Sequence, residues 1–266
     1  MALLPIYKYF CFNDEIKSVS EFVPSENEGG IYEVLRVVNG VPLFLEDHLE
    51  RFFKSAYIAG KEIKFSSSQI RSFLMRLIET DNVETGNILL SCKTNLKAFF
   101  IAHKYPSKED YKKGVSCGIL HAERENPNAK VFQTSVRQQA NDLIEASELY
   151  EVLLVDKKER ITEGSRSNVF FVKGDKIITP KAKKVLLGIT RQKTFYCAAE
   201  LGLVVTEKNV KLNDLAGYDA LFITGTSPKI LPVKQVAETS FDPKNKVVKI
   251  LIEKYDFLID EYIKNA

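Results

Sequence analysis

Asn39-Gly40 stands between two β-branched runs, residues 31–38 (I-Y-E-V-L-R-V-V) and 41–45. An Asn-Gly pair accepts two consecutive positive φ angles at low cost, and the resulting two-residue turn matches the twist of paired strands. The chain must fold back on itself here as a β-hairpin. Directly after it, residues 46–56 (E-D-H-L-E-R-F-F-K-S-A) place Leu49, Phe52, Phe53 and Ala56 at helical spacing, with acids in the first turn where the helix dipole favours them. Ser66, Ser67 and Ser68 can cap a second helix with apolar positions Ile70, Phe73, Leu74 and Leu77. Strands over 88–93 and 98–103 complete a compact α+β unit. The polar, proline-containing stretch 105–113 reads as the junction to a second domain, giving domains 1–112 and 113–266.

The second half is richer in strands. They are predicted over 115–121, 151–156, 169–172, 176–179, 204–206 and 220–224, with an amphipathic helix over 136–147. Gly188-Ile189-Thr190 opens a helix to about 201, and 247–263 closes the chain as another. Residues 161–171 read I-T-E-G-S-R-S-N-V-F-F, one acid at the lip of a strand beside a glycine and short polar side chains. Glycine lets backbone approach closely, and Ser and Asn satisfy polar groups. Taken alone, this run reads as an ordinary hairpin loop.

Composition sets outer bounds. Of 266 residues, 45% are apolar and 27% charged, as in globular domains. The net charge of +3, with lysines alternating with acids, excludes nucleic acid and anionic membrane as expected partners. Cys11, Cys92, Cys117 and Cys197 form no C-x-x-C, and His48, His103 and His121 have no paired spacing, so no metal is expected. Residues 1–12 lack a basic leader, Lys8 interrupts them, and no run has the apolar length of a membrane span. The expected location is the cytoplasm.

Several segments share one chemistry. Arg51 lies on the first helix, with His48 one turn before it. Thr190 follows Gly188 at a helix start, where unpaired N–H groups favour an anion. Thr224-Gly225-Thr226-Ser227 ends a strand with small hydroxyl residues. Guanidinium, helix N-terminus and hydroxyls together suit a dianionic phosphate, although Arg51 singly reads as a surface residue and Thr190 as a helix cap.

With these segments in view, the protein resembles the fold-type IV, or class IV, pyridoxal-phosphate-dependent aminotransferases. That superfamily includes branched-chain and D-amino-acid aminotransferases and aminodeoxychorismate lyase. The matching segments are 32–51, 124–130 (R-E-N-P-N-A-K), 151–156 (E-V-L-L-V-D), 161–170, 186–191 (L-L-G-I-T-R) and 222–233 (F-I-T-G-T-S-P-K-I-L-P-V). The resemblance implies an α+β fold with a smaller N-terminal α/β sandwich and a larger, β-barrel-like C-terminal domain with helices. It implies pyridoxal 5′-phosphate as cofactor, an amino acid and a 2-oxo acid as substrates, and a homodimer. Counting back from Glu151, the family's register selects Lys130 as the Schiff-base lysine. By the same match Glu163 meets the pyridine nitrogen. Arg51, Ser165, Ile189, Thr190 and Thr226 join Lys130 and Glu163 in binding the cofactor, and Tyr32, Arg36 and Ser227 face the substrate.

The departures from the family pattern fall on substrate choice. Glu28-Gly29-Gly30 replaces the family's Gly-Asp-Gly lead, and Gln133 stands where Asn is common. After Ser91 the sequence reads C-K-T-N-L-K, without the arginine–histidine pair of D-amino-acid enzymes. The strand motif of the branched-chain enzymes, E-G-I-R or E-G-L-R, is absent too. Transfer of an amino group, with branched-chain amino acids among the candidates, is the leading expectation. Aminodeoxychorismate lyase, forming 4-aminobenzoate and pyruvate from the same lysine, is the alternative, and a non-catalytic cofactor-binding homologue a third.

Overall fold

The computed structural model describes residues 3–24, 28–132 and 134–266, so Gln133 lies outside the described residues. The protein divides into two compact units: Met1–Lys104 with Ala129–Gln133 and Ile259–Ala266, and Tyr105–Asn128 with Thr134–Leu258. Both mix strands and helices, as the α+β expectation requires.

The first unit contains β1 (Tyr9–Phe12), β2 (Glu15–Ser18), β3 (Ile31–Val38), β4 (Val41–Pro42), α1 (Leu45–Ile58), α2 (Ser67–Asp81), β5 (Thr85–Cys92) and β6 (Leu96–Ile101). Its sheet runs β2-β1-β6-β5-β3-β4. Asn39 and Gly40 both have positive φ, 52° and 74°, the geometry the Asn-Gly pair dictates. Alternation along β3 divides its side chains. Ile31, Leu35 and Val37 join Leu49, Phe52, Ile70 and Leu74 in one buried core, while Tyr32 packs with Phe10, Leu89, Phe99 and Ile101 in another. Glu33 falls in the inward row, a charge where its neighbours are aliphatic. Helix α2 starts with the expected cap: Ser66 Oγ accepts from Gln69 N, and Gln69 Oε1 accepts from Ser66 N. The β1–β2 hairpin is an addition to the elements expected from sequence. Asp81, at the end of α2, pins it by accepting from the N–H groups of Lys8 and Tyr9.

The short return 129–132 belongs to this unit and extends the start of β3. Tyr32 N donates to Lys130 O at 3.0 Å, Phe132 N to Gly30 O at 2.9 Å, and Gly29 N to Phe132 O at 3.1 Å. The ring of Phe132 stacks on Tyr32 with centroids 4.0 Å apart.

The second unit contains α3 (Lys108–Lys113), β7 (Val115–His121), α4 (Thr134–Ala146), β8 (Glu151–Val155), β9 (Arg160–Gly164), β10 (Asn168–Lys173), β11 (Lys176–Thr179), α5 (Ile189–Glu200), β12 (Val205–Glu207), β13 (Val210–Lys211), β14 (Ala220–Gly225), β15 (Lys229–Val236) and β16 (Thr239–Ser240). Helix α6 (Lys246–Lys264) follows, its last residues counted with the first unit. The ladder order is β12-β11-β10-β14-β15-β7-β8-β9-β13, with β16 on β15. The stretch expected to be a polar junction is mostly helix: Ser107 and Asp110 form a reciprocal cap for α3. The run Val169–Val172 is buried on both faces. Val169 and Phe171 enter the core with Leu221, Ile223 and Leu231, and Phe170 stacks on Phe222 toward Phe195 of α5.

The segment E-G-S-R-S-N is not a hairpin loop. Strand β9 pairs with β8 and β13, whereas β10 pairs with β11 and β14. The six residues carry the backbone between two separate parts of the ladder.

Candidate active site

In the first unit the candidate residues gather around Glu33. His48 and Arg51, three apart on α1, lie on one helix face and both reach it. Arg51 donates from Nε to Glu33 Oε1 at 2.7 Å and from Nη2 to Oε2 at 2.6 Å, and His48 Nδ1 lies 2.8 Å from Oε2. Glu33 is fully buried and Arg51 is 8% exposed. Burial pushes the Glu33 carboxyl up, but the Arg51 guanidinium and the His48 hydrogen bond outweigh it and hold the group at about 2. An ionised carboxylate only accepts, so His48 Nδ1 carries the proton. The His48 pKa lies below its ordinary value, first through burial and further through the Arg51 and Lys130 cations.

Lys130 stands beside this cluster. Its N–H donates to Ser55 Oγ at 3.1 Å, and its Nζ lies 4.6 Å from the centroid of the Tyr32 ring, a cation–π distance. Arg36 lies on the Tyr32 side of β3, four residues further on. Thus Lys130, Arg51 and Tyr32, all selected from sequence, share one neighbourhood.

In the second unit Glu163 lies near the end of β9, 3% exposed. Arg124 Nη1 donates to its Oε1 at 3.1 Å, and Leu186 N to its Oε2 at 3.0 Å. A cleft of about 290 Å³ opens beside it, lined by Arg124, Thr162, Asp156, Lys183 and Lys184 among others. The loop before α5 is pinned from three sides. Asn128 Nδ2 donates to Ala182 O and Val185 O, Glu163 accepts from Leu186 N, and Asn168 Nδ2 donates to Leu186 O. Asn168 Oδ1 sits against Gly188 so closely that a Cβ there would meet it at 2.2 Å. This contact, and not a turn, explains the glycine.

Helix α5 starts at Gly188 with no side-chain cap, leaving the first-turn N–H groups at Ile189 and Thr190 without an intrahelical acceptor. Thr190 Oγ1 lies 3.4 Å from the hydroxyl of Tyr255 on α6. On β14, Thr224 pairs in register with Asn168; it is 1% exposed, and its Oγ1 has no hydrogen-bond partner among the described residues. A buried orphan hydroxyl beside an uncapped helix start is a place for an oxyanion. Thr226 and Ser227 lie half-buried in the loop between β14 and β15. The structure thus groups Glu163, Ile189 and Thr190 through one pinned loop. The Ser165 hydroxyl donates to Glu151 at 2.6 Å.

A family model, amino-transferase class IV, matches residues 30–236. The protein is a class IV aminotransferase. It is 28% identical over 254 residues to a D-alanine aminotransferase of Bacillus licheniformis, a match covering 85% of this sequence and 87% of that one. A probable branched-chain-amino-acid aminotransferase of Rickettsia felis is 28% identical over 225 residues, 78% of each sequence. Among solved structures, a branched-chain amino acid aminotransferase of Escherichia coli shares the fold with a TM-score of 0.86 at 19% identity, over 95% of each protein. A putative one from Thermotoga maritima gives 0.84 at 24% identity, over 97% of this protein and 96% of that one.

Aminotransferases of this class move an amino group between an amino acid and a 2-oxo acid with pyridoxal 5′-phosphate, and so does this protein. The residues present fit that cofactor. Thr224 and the uncapped start of α5 suit its phosphate, and a buried carboxylate suits its ring nitrogen. Reading the sequence missed Glu33, Arg124, Glu151, Asn128 and Tyr255. Glu33 and Glu151 do leave a trace, each an acid at a buried position of a mainly apolar strand.

Proposed function

We propose that Lys130 is the lysine that carries the cofactor and moves the proton, and that Glu163 serves the pyridine nitrogen. The observation that supports Lys130 is its surroundings: the aromatic face of Tyr32 under Nζ and a backbone clamped by Ser55 and Tyr32. Arg51, locked in plane by Glu33, together with the N–H groups of Ile189 and Thr190 and the hydroxyls of Thr224 and Thr226, would hold the phosphate. When bound, pyridoxal 5′-phosphate supplies an aldehyde for the amino group and a ring that withdraws electrons from the substrate Cα. Lys130 takes the proton from Cα and returns it at the cofactor C4′ carbon. Glu163, held by Arg124 and Leu186 N, keeps a proton on the ring nitrogen.

The substrate we favour has an apolar side chain, of the branched-chain kind named for several relatives. Supporting this, the Tyr32 and Phe132 rings stack beside the Lys130 amine on a sheet face shared with Val34, Leu89 and Phe99. We also propose a homodimer, and a cytoplasmic location on the strength of four buried, unpaired cysteines. Among the described residues no helix is long and apolar enough to cross a membrane.

Borohydride reduction of the cofactor-loaded protein, followed by peptide mapping, should place the adduct on Lys130. Lys130→Ala should lower turnover by at least about 10²–10⁴-fold, the usual worth of positioned proton transfer. An adduct that still forms in Lys130→Ala would remove the assignment. A panel of L-leucine, L-isoleucine, L-valine and D-alanine with 2-oxoglutarate, and aminodeoxychorismate in parallel, tests the substrate. Light scattering in solution tests the dimer.

A further inference from the structure

The turn that carries Glu163 closes around a second carboxylate. Glu151, the first residue of β8, is 3% exposed. Its Oε1 accepts from Val152 N at 2.9 Å, Ser165 N at 3.1 Å and Ser165 Oγ at 2.6 Å. Its Oε2 accepts from Arg166 N at 3.1 Å and Ser167 Oγ at 2.8 Å. No cation pairs with it among the described residues; five neutral donors surround it, four of them from the turn. A carboxylate offers about four lone-pair sites, so the donors fill both oxygens. The turn has no slack. A Cβ on Gly164 would meet Ser167 Oγ at 2.1 Å and Glu151 Oε2 at 3.0 Å, and Gly164 N already donates to Ser167 O at 2.8 Å.

We propose that Glu151 is a positioning residue for the cofactor site, a buried anion on which residues 163–168 are moulded. It touches no reacting atom. It acts through Glu163 at one end of the turn and through Asn168, which holds the loop before α5, at the other. Ser165 and Ser167 then serve the turn, because their hydroxyl protons are committed to Glu151. A buried charge is a strong mould because each of its hydrogen bonds is charge-assisted. The proposal rests on the reading that Glu163 serves the pyridine nitrogen.

The test uses Glu151→Gln, which keeps shape and one acceptor oxygen but turns an NH₂ toward Arg166 N and Ser167. In cofactor-free protein, hydrogen exchange of the 164–168 backbone should quicken roughly tenfold or more, with α1 and β3 unchanged. In protein loaded with pyridoxal 5′-phosphate carrying ¹⁵N in its ring, the ring nitrogen of Glu151→Gln should lose its proton at a pH lower by about one unit. Glu163→Ala should lower it further. Unchanged exchange in the turn overturns the proposal. So does faster exchange spread evenly through the protein, which would make Glu151 general support for the fold. A local loosening without a change at the ring nitrogen, while Glu163→Ala does change it, overturns the positioning role and leaves the Glu163 reading intact. If Glu163→Ala also leaves the ring nitrogen unchanged, that reading fails and this proposal with it.

Discussion

Two buried carboxylates organise the two units by opposite means. Glu33 sits under a guanidinium and an imidazole, so its charge is balanced by a cation and its geometry by a bidentate fork. Glu151 sits under backbone N–H groups and serine hydroxyls, so its charge is spread over dipoles and its geometry fixed by a loop. The first arrangement orients a side chain, Arg51. The second orients a stretch of main chain. Paired charges respond strongly to removal of either partner, because the survivor is stranded in a dry interior. A dipolar cage responds to geometry, since each neutral donor contributes little alone but all must fit together.

The largest effect expected from this contrast is in the first unit. Glu33→Ala leaves Arg51 buried at 8% exposure without its two acceptors. Unfolding by urea should show a loss of about 3–5 kcal/mol, as for other broken buried ion pairs. Glu33→Gln keeps the shape and should fall between wild type and Glu33→Ala. A loss below about 1 kcal/mol in Glu33→Ala would mean that Arg51 finds water, and the charge-balanced account would fail.

In the second unit the sensitive coordinate is space. Gly164→Ala puts a methyl group 2.1 Å from Ser167 Oγ, and should cost about 1–3 kcal/mol, the usual range for overpacking. Adding Ser167→Ala removes the nearer clash and should recover part of that loss, leaving the contact with Glu151 Oε2 at 3.0 Å. Equal stability of single and double variants, by the same urea measurement, would show that Ser167 gives way freely and the turn is not tightly moulded.

Local pattern makes much of this legible, and long-range partners make the rest illegible. The Asn39-Gly40 turn, α1 and α2 follow from neighbours in sequence, through backbone φ, apolar spacing and a serine cap. The Glu163 and Lys130 candidates come from the register of short motifs. Their supports do not, because these lie far along the sequence: 18 residues separate Glu33 from Arg51, and 39 separate Arg124 from Glu163. Arg124 stands among charged residues and has no periodicity to mark it. The return of 129–132 to the start of β3 joins segments about a hundred residues apart, and the returning segment shows no strand pattern. The run E-G-S-R-S-N reads as a flexible hairpin because its composition is that of a turn. Its shape depends on Glu151, which composition reads merely as the polar edge of a strand.

The smallest expected effect is one of pH. His48 has a folded pKa below its ordinary value of 6.5, through burial first and through Arg51 and Lys130 after that. Below 6.5 the unfolded protein takes up a proton on His48 that the folded protein refuses, so stability falls as the solution is acidified through that range. Glu33 adds a second fall at lower pH. Its stabilising contribution is complete above the ordinary glutamate value of 4.5 and is lost as pH drops toward the folded value of about 2. His48→Gln keeps a donor for Glu33 and cannot titrate. Between pH 7 and 5 it should flatten the decline of unfolding free energy by at most about 1.4 kcal/mol per pH unit, the weight of one proton. The Glu33 fall below pH 4.5 should remain. If His48→Gln and wild type decline in parallel, His48 takes up its proton equally in the folded and unfolded protein; if the variant declines more steeply, the imidazole is already protonated when folded and Glu33 faces two cations instead of one.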